Sequence, residues 1–330
     1  MTKRMKMKRI VVVGGGTGTS VVLTGLKKCP VSLSAIITTA DDGSSSGVLR
    51  REFSMIPPGD IRQCLIALAS GNFSYLNDRF QKGFLQGHTL GNLLITLFYQ
   101  KNGTIQEAID ELLKLVGAEG SLIPMTLKPV TLLAHLRDGR VLRGESAITP
   151  SREISAQLKK LTLSPPSPKV NPRAAAAIQE ADVIIVGPGN LYASILPNFL
   201  VREIREAFLA SVAKKIYIAN LFTQPGHTDR FSVSDFLEVL ARYIGSDAFR
   251  YVIYNTGVIS NAIMKAYANH IIGSLVLPPP HSDLKQGGRY LGAPLLSASP
   301  RSHPADPIAR IRNPFLHDPA RLARTIMKIL

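Results

Sequence analysis

Loops rich in glycine and polar residues follow five apolar runs, and these loops contain the residues best suited to chemistry. The first run covers residues 10–13 and is followed by Gly14, Gly15, Gly16, Thr17 and Gly18. The other four loops begin at Asp41, Gly187, Asn220 and Asn255. In an open parallel sheet the carboxyl ends of the strands share one edge, and ligands bind in the crevice there. We therefore expect these loops to form a single ligand-binding site.

The first glycine loop has the composition of a phosphate-binding turn. Glycine lets the backbone approach a ligand closely, and the N-terminus of the following helix offers N–H groups to an anion. The dinucleotide fingerprint G-x-G-x-x-G is not met, because Thr19 stands where its third glycine belongs. A P-loop is excluded, because no Gly-Lys-Ser/Thr follows. The loop predicts phosphate binding, and the alternative is a strand-to-helix turn that binds nothing.

Asp41 and Asp42 follow the second predicted strand and allow three interpretations. A carboxylate at this point of a dinucleotide fold hydrogen-bonds the ribose. Paired carboxylates can instead hold Mg²⁺, which prefers oxygen ligands and often bridges to phosphate. Asp-Gly is also a common turn pair, so the sequence supports the metal and the turn equally.

Ser45 and Ser46 lie within residues 43–47, which match the G-x-S-x-G pattern of hydrolases. A nucleophile elbow needs its serine at the strand-to-helix turn itself. Two aspartates and a glycine separate Ser45 from the predicted strand. An anion-binding loop is therefore the preferred interpretation.

Further candidates lie in three later segments. Asp60 fits a helix N-cap, and Arg62 in the same first turn can reach a phosphate or stay solvated. His88 suits proton transfer, although a single histidine is more often structural, and Asn92 lies in the same segment. Groups suited to a phosphate, base or sugar come from Gly187, Gly189, Asn190, Tyr192, Asn220, Thr223 and Gln224.

Alternating strand-like and helix-like segments must position these loops. Strands are predicted at residues 10–13, 33–38, 183–186, 215–219 and 251–254, and helices at 19–27, 60–69 and 197–209. This alternation favours βαβ units and an α/β fold with a mostly parallel sheet. Asp138-Gly139, flanked by residues 130–136 and 140–145, predicts an antiparallel hairpin inserted beside that sheet.

Composition and charge limit the classes of partner that we expect for this protein. The 330 residues are 45% hydrophobic without a long uncharged apolar stretch, so we expect a globular protein with no membrane insertion. The basic N-terminus lacks the apolar region of a secretory signal, which favours a cytoplasmic protein. The net charge of +16 comes from scattered basic residues, and no nucleic-acid-binding motif accompanies them. An anionic small ligand is therefore favoured over a specific nucleic acid.

Six segments in one order resemble the family that joins bacterial gluconeogenesis factors (YvcK-type) to 2-phospho-L-lactate transferases (CofD-like). They are Val-Gly-Gly-Gly-Thr-Gly at 13–18, Ala-Asp-Asp-Gly at 40–43, Pro-Pro-Gly-Asp-Ile-Arg at 57–62, Gly-His-Thr-Leu-Gly-Asn-Leu at 87–93, Gly-Pro-Gly-Asn-Leu-Tyr at 187–192 and Asn-Leu-Phe-Thr-Gln-Pro-Gly at 220–226. With Arg-Gly-Glu-Ser at 143–146, the set is more similar to the gluconeogenesis-factor branch. The resemblance resumes weakly at His317-Asp318.

The resemblance implies a Rossmann-like, mostly parallel sheet with helices on both faces and a small antiparallel hairpin insertion. We expect a single domain over residues 1–330, with a core at about 9–260, the insertion at about 100–165 and a C-terminal extension at about 275–330. The gluconeogenesis-factor branch implies a UDP-sugar ligand such as UDP-N-acetylglucosamine. Its implied role is cell-shape maintenance and growth on gluconeogenic carbon sources.

The transferase branch implies a Mg²⁺-dependent enzyme that moves a phospholactyl group from a guanosine-diphosphate-activated donor to a deazaflavin precursor. Carried over, residues 14–18 face phosphate, Asp41 and Asp42 face the metal or ribose, and residues 187–192 and 220–224 face the nucleotide. No catalytic residue is assigned. An NAD(P)-dependent oxidoreductase is a third hypothesis, disfavoured by Thr19, and the sequence is compatible with a homo-oligomer without indicating one.

Three positions depart from the family pattern. Val48 stands where the family has Arg, so we expect weaker diphosphate binding, although Arg50 and Arg51 lie nearby. His227 replaces Glu, and Leu316 replaces the Arg of an Arg-His-Asp motif. Residues 278–314 match poorly, which leaves the C-terminal wall of the site undefined.

Overall fold

A parallel sheet of seven strands forms the centre of the described part of the molecule. The computed structural model describes residues 7–259, 273–284, 288–298 and 314–330. The strands in chain order are β1 (Lys8–Gly14), β2 (Val31–Ile37), β3 (Ser121–Pro124), β4 (Thr131–Leu136), β5 (Val141–Arg143), β6 (Leu158–Ser164), β7 (Val183–Val186), β8 (Lys214–Ile218), β9 (Tyr251–Asn255) and β10 (Tyr290–Ala293). The main sheet has the order β10-β9-β8-β7-β1-β2-β3, and its neighbours are all parallel.

Helices connect these strands and flank the sheet. Numbered along the described ranges, they are α1 (Gly16–Leu26), α2 (Ser44–Glu52), α3 (Pro58–Leu68), α4 (Leu90–Asn102), α5 (Ile105–Leu115), α6 (Glu145–Ile148), α7 (Ile154–Gln157), α8 (Pro172–Glu180), α9 (Leu196–Leu200), α10 (Arg202–Ala210), α11 (Val233–Ile244), α12 (His281–Leu284) and α13 (Pro319–Met327). A 3₁₀ turn covers Ser74–Asn77, and a π-helical turn covers Leu191–Ile195. None of the helices in these ranges is long and apolar enough to cross a membrane.

The sheet is buried on both faces, which explains why its strands are continuous apolar runs. Along β1, Ile10 and Val12 enter a core cluster with α1, α3, α5 and α13. Val11 and Val13 enter the opposite cluster with α8, α10, α11 and the small antiparallel sheet. Successive side chains of a strand point to opposite faces, so both faces need a cover of helices. The predicted α/β fold with a mostly parallel sheet is confirmed.

The chain reverses its direction of travel across the sheet between β1 and β7. It runs from β1 outward through β2 to β3, then returns to place β7 on the other side of β1. Ile10 accordingly pairs with Leu33 of β2 on one side and Val183 of β7 on the other. Such a reversal opens a crevice outside the carboxyl ends of the two strands, where ligands of open α/β sheets bind.

Three features of the fold differ from the sequence expectations. The predicted hairpin gains a third strand, β6, and forms a sheet of order β5-β4-β6. Within the predicted insertion, β3 pairs with β2 and extends the main sheet. The helix predicted at 197–209 is interrupted, because Val201 is extended (ψ 111°) between α9 and α10. Much of the poorly matching segment, residues 285–287 and 299–313, lies outside the described residues.

Candidate functional site

The loops after β1, β7 and β8 contact one another at the carboxyl edge of the sheet. Gly18, in the first turn of α1, lies directly against the Pro188 carbonyl, so that a β-carbon there would overlap it. Asn220, after β8, donates from Nδ2 to the Gly189 carbonyl at 2.8 Å and accepts from the Gly189 N–H at 3.3 Å. Three of the predicted loops are therefore brought together at the reversal point between β1 and β7.

The glycine loop after β1 is packed too closely for side chains. A β-carbon on Gly15 would lie 2.8 Å from Asp60 Oδ2, and one on Gly16 would overlap Asp60 Oδ1. Thr17 Oγ1 also donates to Gln63 Oε1 of α3 at 2.7 Å. The glycine loop and α3 are thus packed directly against each other, and α1 begins within this loop, at Gly16. The positive end of that helix dipole favours an anion.

The structure gives Asp60 a different place from the predicted N-cap, so that prediction is wrong. The N-cap of α3 is Pro57 (φ −65°, ψ 130°), and Pro58 is its first residue. Proline suits the first helical position because its φ is already helical, and the helix therefore begins two residues earlier than predicted. Asp60 lies inside the first turn, where its carboxylate reaches the glycine loop instead of capping its own helix.

Asp41 and Asp42 both accept hydrogen bonds from backbone N–H groups. Asp41 Oδ1 accepts from the Gly43 N–H at 2.8 Å. This bond forms a local turn, which is one of the three interpretations that the sequence allows for the two aspartates. Asp42 Oδ1 accepts from Ser146 at 2.8 Å and so joins the β2 loop to the start of α6. Burial raises the pKa of Asp41, as does the charge of Asp42, while hydrogen bonds from Gly43 and Ser46 act in the opposite direction. The β2 loop therefore presents two carboxylates in a partly desolvated place.

Glu145 is an acidic residue of this site that sequence reasoning missed. Its neighbour Gly144 (φ 85°) packs against the Asp42 carboxylate, a position that suits glycine alone. Burial raises the pKa of Glu145 well above its ordinary range, and the charges of Asp41, Asp60 and Asp42 raise it further. Four carboxylates therefore share one electrostatic environment. The sequence signal that contains it is Arg-Gly-Glu-Ser at 143–146, a segment shared with the gluconeogenesis-factor branch.

A second group of predicted residues lies beside the β2 loop. Ser45 Oγ is 3.0 Å from His88 Nδ1 and accepts from Asn92 Nδ2 at 3.1 Å. Arg62 is only 4% exposed, and its guanidinium donates to Thr89 Oγ1 at 2.7 Å and to Asn92 Oδ1. Arg62 is thus buried beneath the site instead of being solvated. A cleft of about 330 Å³, lined in part by Ser45 and His88, opens next to this group.

In the loop after β7, polar groups hold the backbone in place. Gly187 has a φ of 76°, a left-handed conformation that favours glycine. Asn190 Oδ1 accepts from the N–H groups of Tyr192 and Ala193, each at 3.1 Å. Tyr192 is buried, and this burial raises its pKa to about 12. The side chain of Asn190 thus fixes the turn that leads into residues 191–195.

Thr223 and Gln224, which follow β8, make hydrogen bonds to other segments of the chain. Thr223 Oγ1 accepts from the Ser274 N–H at 3.0 Å. Gln224 Nε2 donates to the Thr149 carbonyl at 3.2 Å, across to the inserted segment. These two side chains therefore connect the loop after β8 to Ser274 and to the inserted segment.

The chain is similar to known proteins over most of its length. A family model described as 2-phospho-L-lactate transferase CofD matches residues 10–282. The chain belongs to the CofD family. A putative gluconeogenesis factor from Aquifex aeolicus is 37% identical over 336 residues, covering 99% of this chain and 98% of the relative. A gluconeogenesis factor from Bacillus subtilis is 40% identical over 264 residues, covering 78% and 82%.

The fold of this CofD-family chain is also found in a solved structure. A UPF0052 family protein from Bacillus halodurans matches with a TM-score of 0.86 at 34% identity, covering 98% of this chain and 99% of that one. The family resemblance and the sheet predicted from it are therefore confirmed.

The three departures occupy distinct places in this CofD-family chain. Val48 and Arg79 both line the cleft, together with His88. His227 is fully buried, its Nε2 is 3.1 Å from the Ile148 carbonyl, and burial lowers its pKa. Leu316 packs on the core cluster beneath the sheet.

Proposed function

We propose that the chain is a gluconeogenesis factor that binds a UDP-sugar of the UDP-N-acetylglucosamine type in the crevice between β1 and β7. The observation that supports this most directly is the contact of the two glycine loops, Gly18 against Pro188, at the reversal point of the sheet. The N-terminus of α1 opens there, and it suits a diphosphate. The net charge of +16 favours approach of an anionic ligand.

Each group of residues around that point suits a different chemical part of the ligand. The diphosphate faces the glycine loop, because the N–H groups in the first turn of α1 have no partner within the helix and suit an anion. Asp41 and Asp42 accept from ribose hydroxyls or bind a cation beside the phosphates. The uracil lies towards the loops that Asn220 and Asn190 hold. In this proposal the crevice senses the nucleotide sugar and catalyses no reaction.

Calorimetric titration of the full chain tests the ligand. UDP-N-acetylglucosamine is expected to bind more tightly than GDP or NAD, and UDP more tightly than UMP, because UMP lacks the second phosphate at the α1 N-terminus. Tight binding of another nucleotide, with no heat from any UDP-sugar, would reject the proposal.

The proposed role in the cell is cell-shape maintenance during growth on gluconeogenic carbon. Cells without the protein are expected to lose normal shape on such a carbon source and to keep it on glucose. Equal morphology under both conditions would contradict this role, even if the UDP-sugar binds.

A second candidate function is a Mg²⁺-dependent phospholactyl-type transferase, favoured by the shared environment of Asp41, Asp42, Asp60 and Glu145. Carboxylate oxygens are the donors that Mg²⁺ prefers, although across the described ranges no three His, Cys, Asp or Glu side chains are placed to hold a metal. Mg²⁺ commonly takes one or two carboxylates and completes its shell with water and substrate phosphates. Asp41 and Asp42 fit that pattern, and the ion would neutralise phosphate charge there.

Isosteric variants test the metal role on which this candidate depends. Asp41→Asn and Asp42→Asn are expected to abolish any gain in nucleotide affinity on adding Mg²⁺. Asp138→Asn is the control, because it changes an exposed carboxylate in a hairpin turn and Asn-Gly keeps that turn. Unchanged metal dependence in the two site variants would reject the metal role.

A further inference from the structure

Four side chains form a continuous line of hydrogen bonds from the protein interior to a cleft. Arg62 Nη1 donates to Asn92 Oδ1, Asn92 Nδ2 lies 3.1 Å from Ser45 Oγ, and Ser45 Oγ lies 3.0 Å from His88 Nδ1. Arg62, Asn92 and Ser45 are 4%, 1% and 7% exposed, so water contributes little to their bonding. His88 is half-buried and lines the cleft of about 330 Å³.

The direction of each bond follows from the inner end of the line. A guanidinium has five N–H donors and no acceptor, so the Asn92 atom that faces Arg62 must be the amide oxygen. The amide nitrogen of Asn92 therefore faces Ser45 and can only donate. Ser45 Oγ accepts that bond and has its own hydroxyl proton left to give.

The Ser45 proton has one acceptor within reach among the described residues, which is His88 Nδ1. A buried hydroxyl left without an acceptor would cost free energy, so the bond runs from Ser45 to His88. We propose that Arg62, Asn92 and Ser45 are positioning residues that fix His88 in the tautomer with its proton on Nε2, and that His88 offers this N–H to the cleft.

This assignment defines the kind of group that the cleft takes. The Nε2–H of His88 and the cation of Arg79, which also lines the cleft and donates to the Gly87 carbonyl at 2.7 Å, both favour an oxygen acceptor, such as a phosphate, carboxylate or amide oxygen. The cleft adjoins the β2 loop at Ser44, so on the proposed function it takes the acceptor-rich sugar end of the UDP-sugar. His88 then acts as a hydrogen-bond donor and not as a general base.

The tautomer can be measured without any ligand, by ¹⁵N chemical shifts of the His88 ring at alkaline pH, where a histidine ring is uncharged. The wild-type chain is expected to carry the proton on Nε2. Asn92→Asp keeps an oxygen towards Arg62 but presents a second acceptor to Ser45. Ser45 then donates inward, and the His88 proton is expected to move to Nδ1.

Two further variants serve as checks on the same spectra. Ser45→Ala removes the link and is expected to leave both neutral tautomers populated. Ser44 lines the same cleft but is not part of the line of hydrogen bonds. In Ser44→Ala, His88 should therefore keep its proton on Nε2. Thermal unfolding confirms that each variant is folded. A wild-type His88 with its proton on Nδ1, or no change with Asn92→Asp, would overturn the proposal.

A binding experiment tests the ligand arm separately. His88→Ala is expected to weaken UDP-N-acetylglucosamine by about tenfold, the usual order for one lost hydrogen bond, while His88→Gln keeps an N–H donor and most of the affinity. Equal losses in both variants would reject the donor role. If no variant and no wild-type chain binds the nucleotide sugar, the proposed function fails, and the ligand-free tautomer still decides the hydrogen-bond line.

Discussion

Gly18 and Pro188 are in backbone contact, and this contact sets the spacing between the loops after β1 and β7. The two residues are far apart in the chain, but β1 and β7 are neighbours in the sheet. A side chain on Gly18 would meet a carbonyl group, which cannot rotate away as a flexible side chain can. The width of the crevice therefore depends on glycine at this position.

Gly18→Ala is expected to lower the free energy of unfolding by about 1–3 kcal/mol, the usual cost of overpacking a close contact. It should also weaken UDP-N-acetylglucosamine, because the loops must move apart. Urea unfolding and calorimetry measure the two effects. Gly189→Ala is the control: its β-carbon would lie 3.6 Å from side-chain carbons of Ser194 and Ile195, an ordinary contact. Equal destabilisation by both variants would contradict the argument.

Local patterns were sufficient to predict the central strands and the loops that follow them, which form the candidate site. Residues 10–13 and 183–186 are unbroken apolar runs because both faces of β1 and β7 are buried. The pairing of β1 with β7 was not accessible, since it depends on how the whole chain between them crosses the sheet. The edge strand β3 is only four residues long, too short for a periodic signal.

The same contrast between local patterns and long-range contacts holds for the residues of the candidate site. The glycine loop was recognisable because its composition reports its own backbone. Asp60 was misplaced because Pro57 and Pro58 decide where α3 begins. Glu145 was missed because its raised pKa comes from burial in the fold and from the charges of Asp41, Asp60 and Asp42, which lie far from it in sequence. Charges that act through space leave no trace in a local pattern.

Asn220→Ala is expected to weaken nucleotide binding by separating the loops after β7 and β8. The variant removes both hydrogen bonds to Gly189 and should cost about 1 kcal/mol of stability, since Gly189 is half-exposed and water can replace them. Asn102→Ala is a matched control, because its amide also makes two bonds, to Phe98 and Glu111, far from the crevice. Calorimetry on both variants distinguishes the two, and loss of affinity in both would reject a local role for Asn220.

Arg62→Lys is expected to be strongly destabilising, although the substitution keeps the positive charge. The guanidinium donates to Asn77, Thr89 and Asn92, and a lysine ammonium cannot reach all three. The buried acceptors left without donors should cost about 2–3 kcal/mol in urea unfolding. Arg140→Lys, on an exposed side chain, should change stability little. Similar small effects in both would show that Arg62 does not organise this region.

Stability is expected to fall below pH 6.5 because of His317. Its side chain is buried, which lowers its pKa from 6.5 to about 4, while a hydrogen bond with the Ala219 backbone acts in the opposite direction. The unfolded chain therefore binds this proton first as the pH falls. The contribution is complete above pH 6.5 and is lost progressively towards pH 4, by about 3 kcal/mol.

Urea unfolding between pH 7 and pH 4.5 measures this loss against variants. His317→Asn should flatten the pH dependence, because the buried imidazole no longer gains a proton on unfolding. His281→Asn, a substitution of the same type at an exposed histidine, is the control. Other carboxylates contribute the same background to every chain, so the difference in slope belongs to the substituted histidine. Identical slopes in the His317 and His281 variants would show that His317 is protonated without cost in the folded protein.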